Sequence, residues 1–326
     1  VGNDVQTQSE NFAQFLKKYD LESRSALESL LNDEGNENFR SLKTHLKAYY
    51  SAFSKDSIPP HGKTTWRNLA DKANDEGHLQ FSETTYFNKK YGFELLTTFL
   101  KGPPSFQSGF VGNGDFTLFI VARFNNFSMN NTEPYVLFRY FANTISNVGI
   151  SLEMKPQPTV NSMNKDMRDA EFYIQIGSEI IPQDNTFPLK LNENIMFTLR
   201  KSNKYLYLEA HILSMGHSQS VSLIKEHEIK DTDLLLSNKR MEINAHKNLN
   251  AYISAFAVYD AFIEDMAHIT SHISKEIYKR SASFESDARQ NLGFEKEGEF
   301  RDHTYARGSY QNVVYLSILE DDYSEH

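Results

Sequence analysis

The sequence predicts a mainly β protein, an antiparallel two-sheet sandwich of jelly-roll type with helical segments at both ends. Between Gly77 and Tyr259, short apolar runs recur between turn signals while helical periodicity nearly vanishes. The strands follow one another without the intervening helices that an α/β protein needs. Aromatic usage agrees: 24 Phe and 17 Tyr stand against a single Trp, and flat side chains suit a pleated surface.

Three zones follow in order. Residues 1–60 read as a helical N-terminal arm or collar. Ser9 is placed to cap a helix carrying Phe12, Phe15 and Leu16, and Leu21, Leu27, Leu30 and Leu31 share one side of a second. A third helix is expected from Glu37 to Phe53, where Phe39, Leu42, Leu46, Tyr49, Tyr50 and Phe53 fall three and four apart. Pro59, Pro60 and Gly62 stop it.

Residues 61–275 carry the sandwich. Expected strands are Leu79 to Phe81, Phe116 to Phe124, Tyr135 to Phe141, Val148 to Met154, Ala170 to Ile176, Ile195 to Arg200, Tyr205 to Leu213, Leu234 to Leu236 and Ala251 to Tyr259. A helix by spacing then runs from Phe262 to about Lys279. Residues 276–326 form a charged C-terminal extension with one late strand, Val313 to Leu319.

Composition excludes several functions. The net charge of −9 and the absence of any long Lys/Arg cluster argue against nucleic acid as a partner. No run approaches the roughly 20 apolar residues of a membrane span. With no cysteine there is no disulfide framework, thiol nucleophile or Cys-based zinc site.

Three segments carry a family resemblance. Gly114-Asp115-Phe116-Thr117 opens a long core strand; Asn194 to Arg200, a turn, and Tyr205 to Glu209 form a hairpin; and Leu249 to Phe262 reads as a closing strand plus short helix. Together, over about 79–275, they resemble the concanavalin A-like, laminin G-like jelly-roll superfamily. The chain departs from its pattern at Asn194-Ile195-Met196, where the family often has Trp, and at Ala210-His211, where Gly is usual. The resemblance implies two stacked antiparallel sheets, a sugar- or protein-binding role, in some members glycan hydrolysis, frequent use of calcium, and a part in viral or cell-surface assemblies.

The chemical motifs are sparse. The Glu-x-Asp-x-x-Glu string of the family's hydrolases is missing, and Glu264-Asp265 and Glu295 to Glu299 read as solvated surface. No Gly-x-Ser-x-Gly elbow or phosphate loop occurs. His211, His217 and His227 share one region, and His268 and His272 stand four apart, without a third ligand in pattern. Asp115, Asp169 and Asp184 are the hard-oxygen candidates for calcium, although Asp115 also suits the cap of a strand-entry turn. Trp66 and His61 are the candidates for stacking on a sugar; the competing role for a lone Trp is a packing anchor. Asn126 and Asn130 begin two glycosylation sequons in one polar loop.

These features lead to a non-enzymatic structural or interaction protein. It is expected in a virion, as a capsid-associated component, or in an extracellular or surface assembly, where its terminal arms engage neighbouring subunits. A carbohydrate-binding lectin-like module is the alternative, and requires exposed aromatics on a sheet face or at loop tips. A divergent glycan hydrolase or lyase is the third reading.

Overall fold

The computed structural model describes residues 44–54, 57, 64–70, 78–83, 85–88, 90–102, 114–126, 134–141, 149–156, 167–185, 187–214, 217–229, 240–267, 269–277, 295–306 and 309–317. Its strands are, in chain order, β1 (Leu46–Ser51), β2 (Thr65–Trp66), β3 (Leu79–Phe81), β4 (Phe87–Asn88), β5 (Gly92–Glu94), β6 (Leu100–Lys101) and β7 (Phe116–Phe124). Then come β8 (Tyr135–Phe141), β9 (Gly149–Pro156), β10 (Met167–Ile176), β11 (Glu179–Pro182), β12 (Phe187–Lys190), β13 (Asn194–Ser202) and β14 (Tyr205–Ser214). The last are β15 (His217–Glu228), β16 (Arg240–Ile243), β17 (Ala251–Tyr259), β18 (Glu295–Ala306) and β19 (Ser309–Ser317). Besides the helical pair Thr44 and His45, one helix, α1, covers 267 and 269–277 among the described residues.

Two antiparallel sheets form the sandwich. The first runs β15-β14-β13-β7-β17-β5-β4, with β1 also paired to β17. The second runs β11-β10-β9-β8-β16-β6-β3-β2, with β12 also paired to β10. Alternate residues of β7 (Phe116, Leu118, Ile120, Ala122, Phe124) and of β13 (Ile195, Phe197, Leu199) point between the sheets. They meet Leu152, Met154, Phe172 and Ile174 from the second sheet in one buried core. Phe172 and Phe197, from opposite sheets, have ring centres 4.9 Å apart.

The other face of the first sheet is also largely covered. Phe119, Val121, Met196, Ala255, Ala257 and Tyr259 point outward and are buried beneath Ile263, Met266, Ile269, Ile273 and Ile277. The last three recur at helical spacing along α1 and give it one apolar stripe. Burial on both faces explains why the middle of β7, Leu118 to Ala122, reads as an unbroken apolar run.

The structure differs from the sequence-based expectation at both ends. Residues 46–51, expected within a helix, form β1 against β17. In β1, Ala48 and Tyr50 enter the inter-sheet core while Tyr49 joins the layer beneath α1. A strand apolar on both faces mimics helical spacing. The C-terminal extension holds two strands instead of one: β18 pairs with β19 as a separate two-stranded sheet. The remainder of the N-terminal arm and Leu234 to Leu236 lie outside the described residues. Helix α1 also starts later than expected, with the Asp265 carboxylate accepting the Ala267 N–H at 2.8 Å as its cap.

Candidate functional site

One end of the first sheet's outer face escapes the helical cover. Antiparallel register places four polar side chains there in a row across four strands. Glu94 of β5 lies opposite Tyr252 of β17, Tyr252 opposite Arg123 of β7, and Arg123 opposite Asn194 of β13. Their chain neighbours Phe93, Ile253, Phe124 and Ile195 all enter the core, so the row faces outward. All four are half-buried, and Tyr86, on the approach to β4, is 58% exposed.

The β4–β5 hairpin supplies the fifth member, Tyr91. Asn88 shapes the turn: its side-chain oxygen accepts the Lys90 N–H at 2.8 Å and the Tyr91 N–H at 3.2 Å. Gly92 follows at φ +102°, where a Cβ would stand 2.2 Å from the Ile253 carbonyl oxygen. Only glycine lets this hairpin close on β17. The Tyr91 ring is thereby set 5.5 Å from Tyr252 and 4.2 Å from the Arg123 guanidinium, centre to centre. Lys90 Nζ approaches the same ring at 5.6 Å. Beside the row, the Asn125 amide donates to the Asn250 side-chain oxygen at 3.3 Å.

These groups also act on one another's ionisation. Burial pushes the Arg123 guanidinium below its ordinary range, opposed by the nearby Tyr91, Glu193 and Tyr252. Burial likewise pushes the Tyr252 phenol up, reinforced by Glu94, Tyr86 and Tyr91. The Arg123 side chain makes no hydrogen bond or ion pair among the described residues, whereas Glu193 bonds Lys190 Nζ. The arrangement offers ring faces, a donor fork and carboxylate and amide acceptors to a ligand rich in hydroxyls.

The residues singled out from sequence fall elsewhere. Trp66 is fully buried against Tyr50, Phe81 and Phe93, with its nearest ring centre at 5.2 Å, so it packs the core and presents no face to a sugar. His61 lies outside the described residues. Asp115 Oδ1 accepts the Asn203 N–H at 2.6 Å, tying the entry of β7 to the β13–β14 turn. Asp184 Oδ2 accepts the Lys225 N–H at 2.8 Å. Asp169 stands within β10 instead of in a loop, and its side chain is outside the described set. Among the described residues no three His, Asp or Glu side chains lie together as a metal site. Asn126 is exposed at the end of β7, while Asn130 lies outside the described residues. His211 is buried and His227 Nε2 stands 3.3 Å from Glu179.

Sequence reasoning missed Tyr86, Tyr91, Glu94, Arg123 and Tyr252 as a group. The available signals were Arg123 near the end of an apolar run and Tyr252 at the head of an alanine-rich strand. Their juxtaposition depends on pairings between distant segments.

No protein-family model and no curated protein matches the chain. Among solved structures it resembles the binding domain of botulinum neurotoxin DC in complex with rat synaptotagmin II, at TM-score 0.43 and 12% identity over 74% of this chain and 52% of that one. A Trypanosoma rangeli sialidase mutant displaying trans-sialidase activity gives TM-score 0.42 and 10% identity, over 73% and 34% of the two chains. A GH54 α-L-arabinofuranosidase soaked with a cyclic sulfate inhibitor gives 0.43 and 8%, over 81% and 62%. The chain thus spans between a third and two thirds of these proteins' lengths. Likeness this weak carries no argument about ligand or activity.

Proposed function

We propose that the chain is a non-catalytic, laminin G-like binding protein whose outer-face row takes a carbohydrate. The observation that carries this reading is the packing of Tyr91 against both Arg123 and Tyr252, with Tyr86 close by, at an end of the face that reaches solvent. Sugars present flat C–H surfaces ringed by hydroxyls that both donate and accept. Tyrosine rings suit the first, and Arg123, Glu94 and Asn194 suit the second. Retardation of the native protein in gels cast with different polysaccharides tests the proposal. Selective retardation by at least one polysaccharide is expected, and migration unchanged in all of them sinks it.

A second reading, an assembly component that binds neighbouring subunits in a virion or at a surface, draws on β18 and β19. They pair only with each other among the described residues. A two-stranded ribbon is marginal by itself in water and gains stability from packing on another surface. Light scattering over a concentration series checks this reading, which expects a defined oligomer; a monomer throughout opposes it.

A further inference from the structure

The guanidinium at the centre of the row is open to a ligand. The Arg123 side chain is half-buried, lies against the face of Tyr91 and makes no hydrogen bond or ion pair among the described residues. None of its nitrogens is both buried and unbonded, so its planar fork of five N–H donors faces solvent. The adjacent carboxylates do not occupy it. Glu193, beside Asn194 in sequence, is bonded to Lys190. Glu94 stands on the far side of Tyr252, two strand spacings or about 10 Å from Arg123. Lys90 adds a second cation over the same Tyr91 ring.

With Glu193 held by Lys190, the cations Arg123 and Lys90 near the Tyr91 ring leave room for an anion at Arg123, even though the chain carries −9 overall. Exposed charges more than about 8–10 Å away are largely screened at physiological salt, and the guanidinium itself is in contact with the ligand. A carboxylate matches the guanidinium fork in shape, since two parallel N–H···O bonds can form in one plane. Tyr252 and Tyr91 then flank the ring that bears the carboxylate, with Glu94 and Asn194 left to accept hydroxyls on either side.

Resting on the carbohydrate reading above, we infer that the row recognises an acidic sugar whose carboxylate docks on Arg123, with the sugar ring carried by Tyr91 and Tyr252.

The test titrates the whole chain with an oligogalacturonate and with its carboxyl-reduced counterpart, which keeps the skeleton and loses the charge. The acidic form is expected to bind at least about tenfold more tightly. Arg123→Ala should bring its affinity down to that of the neutral form, and Arg123→Lys should recover only part of the difference because a point charge replaces the fork. Circular dichroism confirms that each variant is folded. Equal or tighter binding of the neutral form overturns the acidic-sugar assignment while leaving the carbohydrate reading in place. Preference for a sulfated glycan over both probes also overturns it. No binding of any glycan by the folded protein removes the carbohydrate reading and this inference with it.

Discussion

The Arg123 guanidinium lies 4.2 Å from the centre of the Tyr91 ring, with Arg123 set by strand β7 and Tyr91 by the β4–β5 turn. The ring supports the cation through its face, a contribution of about 0.5–2 kcal/mol depending on solvent exposure. Tyr91→Ala is therefore expected to weaken glycan binding about three- to tenfold, whereas Tyr91→Phe, which keeps the ring, should bind nearly as the parent does. Titration calorimetry on the two variants checks this. Equal losses in both would assign the effect to the hydroxyl.

Gly92 makes that contact attainable. At φ +102°, with the Ile253 carbonyl where a side chain would begin, Gly92→Ala strains the backbone and collides with β17. A loss of about 1–3 kcal/mol in stability is expected. Because β4 and β5 are short, the hairpin should loosen locally and binding should fall before the sandwich unfolds. Hydrogen exchange over 86–94 against that of β7 reads the difference.

Arg200 anchors the segment that leads into α1. Its Nη1 donates to the carbonyls of Ile263 at 2.9 Å and Glu264 at 3.0 Å, and its Nη2 donates to Glu209 Oε1 at 2.5 Å. Phe262 stacks near the guanidinium, with its ring centre 5.1 Å away. Arg200→Met strands two carbonyls and a carboxylate, and is expected to cost about 3 kcal/mol. Urea denaturation measures the loss, and faster exchange over 263–277 would show that the helical cover is what loosens.

Glu209 gives the fold a pH dependence with a definite sign. His211, with Nε2 3.5 Å from Glu209 Oε2, holds the carboxyl down; burial opposes this, and Arg200 adds to the lowering. The folded value thus lies below the unfolded one of about 4.3. In that window the unfolded chain binds more protons, so stability rises with pH. The contribution is complete above the unfolded value and disappears as acid takes the solution through the folded one. Glu209→Gln should flatten the acid limb of the stability curve below the ordinary carboxylate range. An unchanged acid limb in denaturation curves would count against the pairing.

Asp184 closes an open sheet edge. Strand β15 ends the first sheet, and the loop after β11 in the second reaches across to it. Asp184 N–H donates to the Leu223 carbonyl at 2.6 Å, its carboxylate accepts the Lys225 N–H, and the Asn185 amide donates to the Ser222 carbonyl at 2.7 Å. These contacts occupy backbone groups that would otherwise template another strand. Asp184→Ala is expected to lower stability by about 1 kcal/mol, with Asp184→Asn milder because its amide oxygen still accepts. Thermal unfolding of both, with turbidity recorded alongside, checks the order.

The long central strands were legible because their alternation, or their double burial, leaves a strong apolar signal: β7, β13, β14 and β17 all lie where the hydrophobic runs place them. Strand β15 was not, since His217 to Glu228 is mostly polar, as an edge strand with one exposed face tends to be. Strands β4, β5 and β6 have only two or three residues each, too short for any period to register. Leu46, Tyr49, Tyr50 and Phe53 misread as helix because both faces of β1 are covered. The binding row illustrates a different gap. Glu94, Arg123, Asn194 and Tyr252 span much of the sequence, and register alone aligns them.

Backbone amide shifts, followed while an isotope-labelled sample is titrated with a retained oligosaccharide, test the binding account most directly. The account predicts that perturbations gather at 86–94, 123–125, 193–194 and 250–252. Perturbations gathered instead around Arg139, Ser151, Glu153 and Glu242 on the outer side of the second sheet would contradict it.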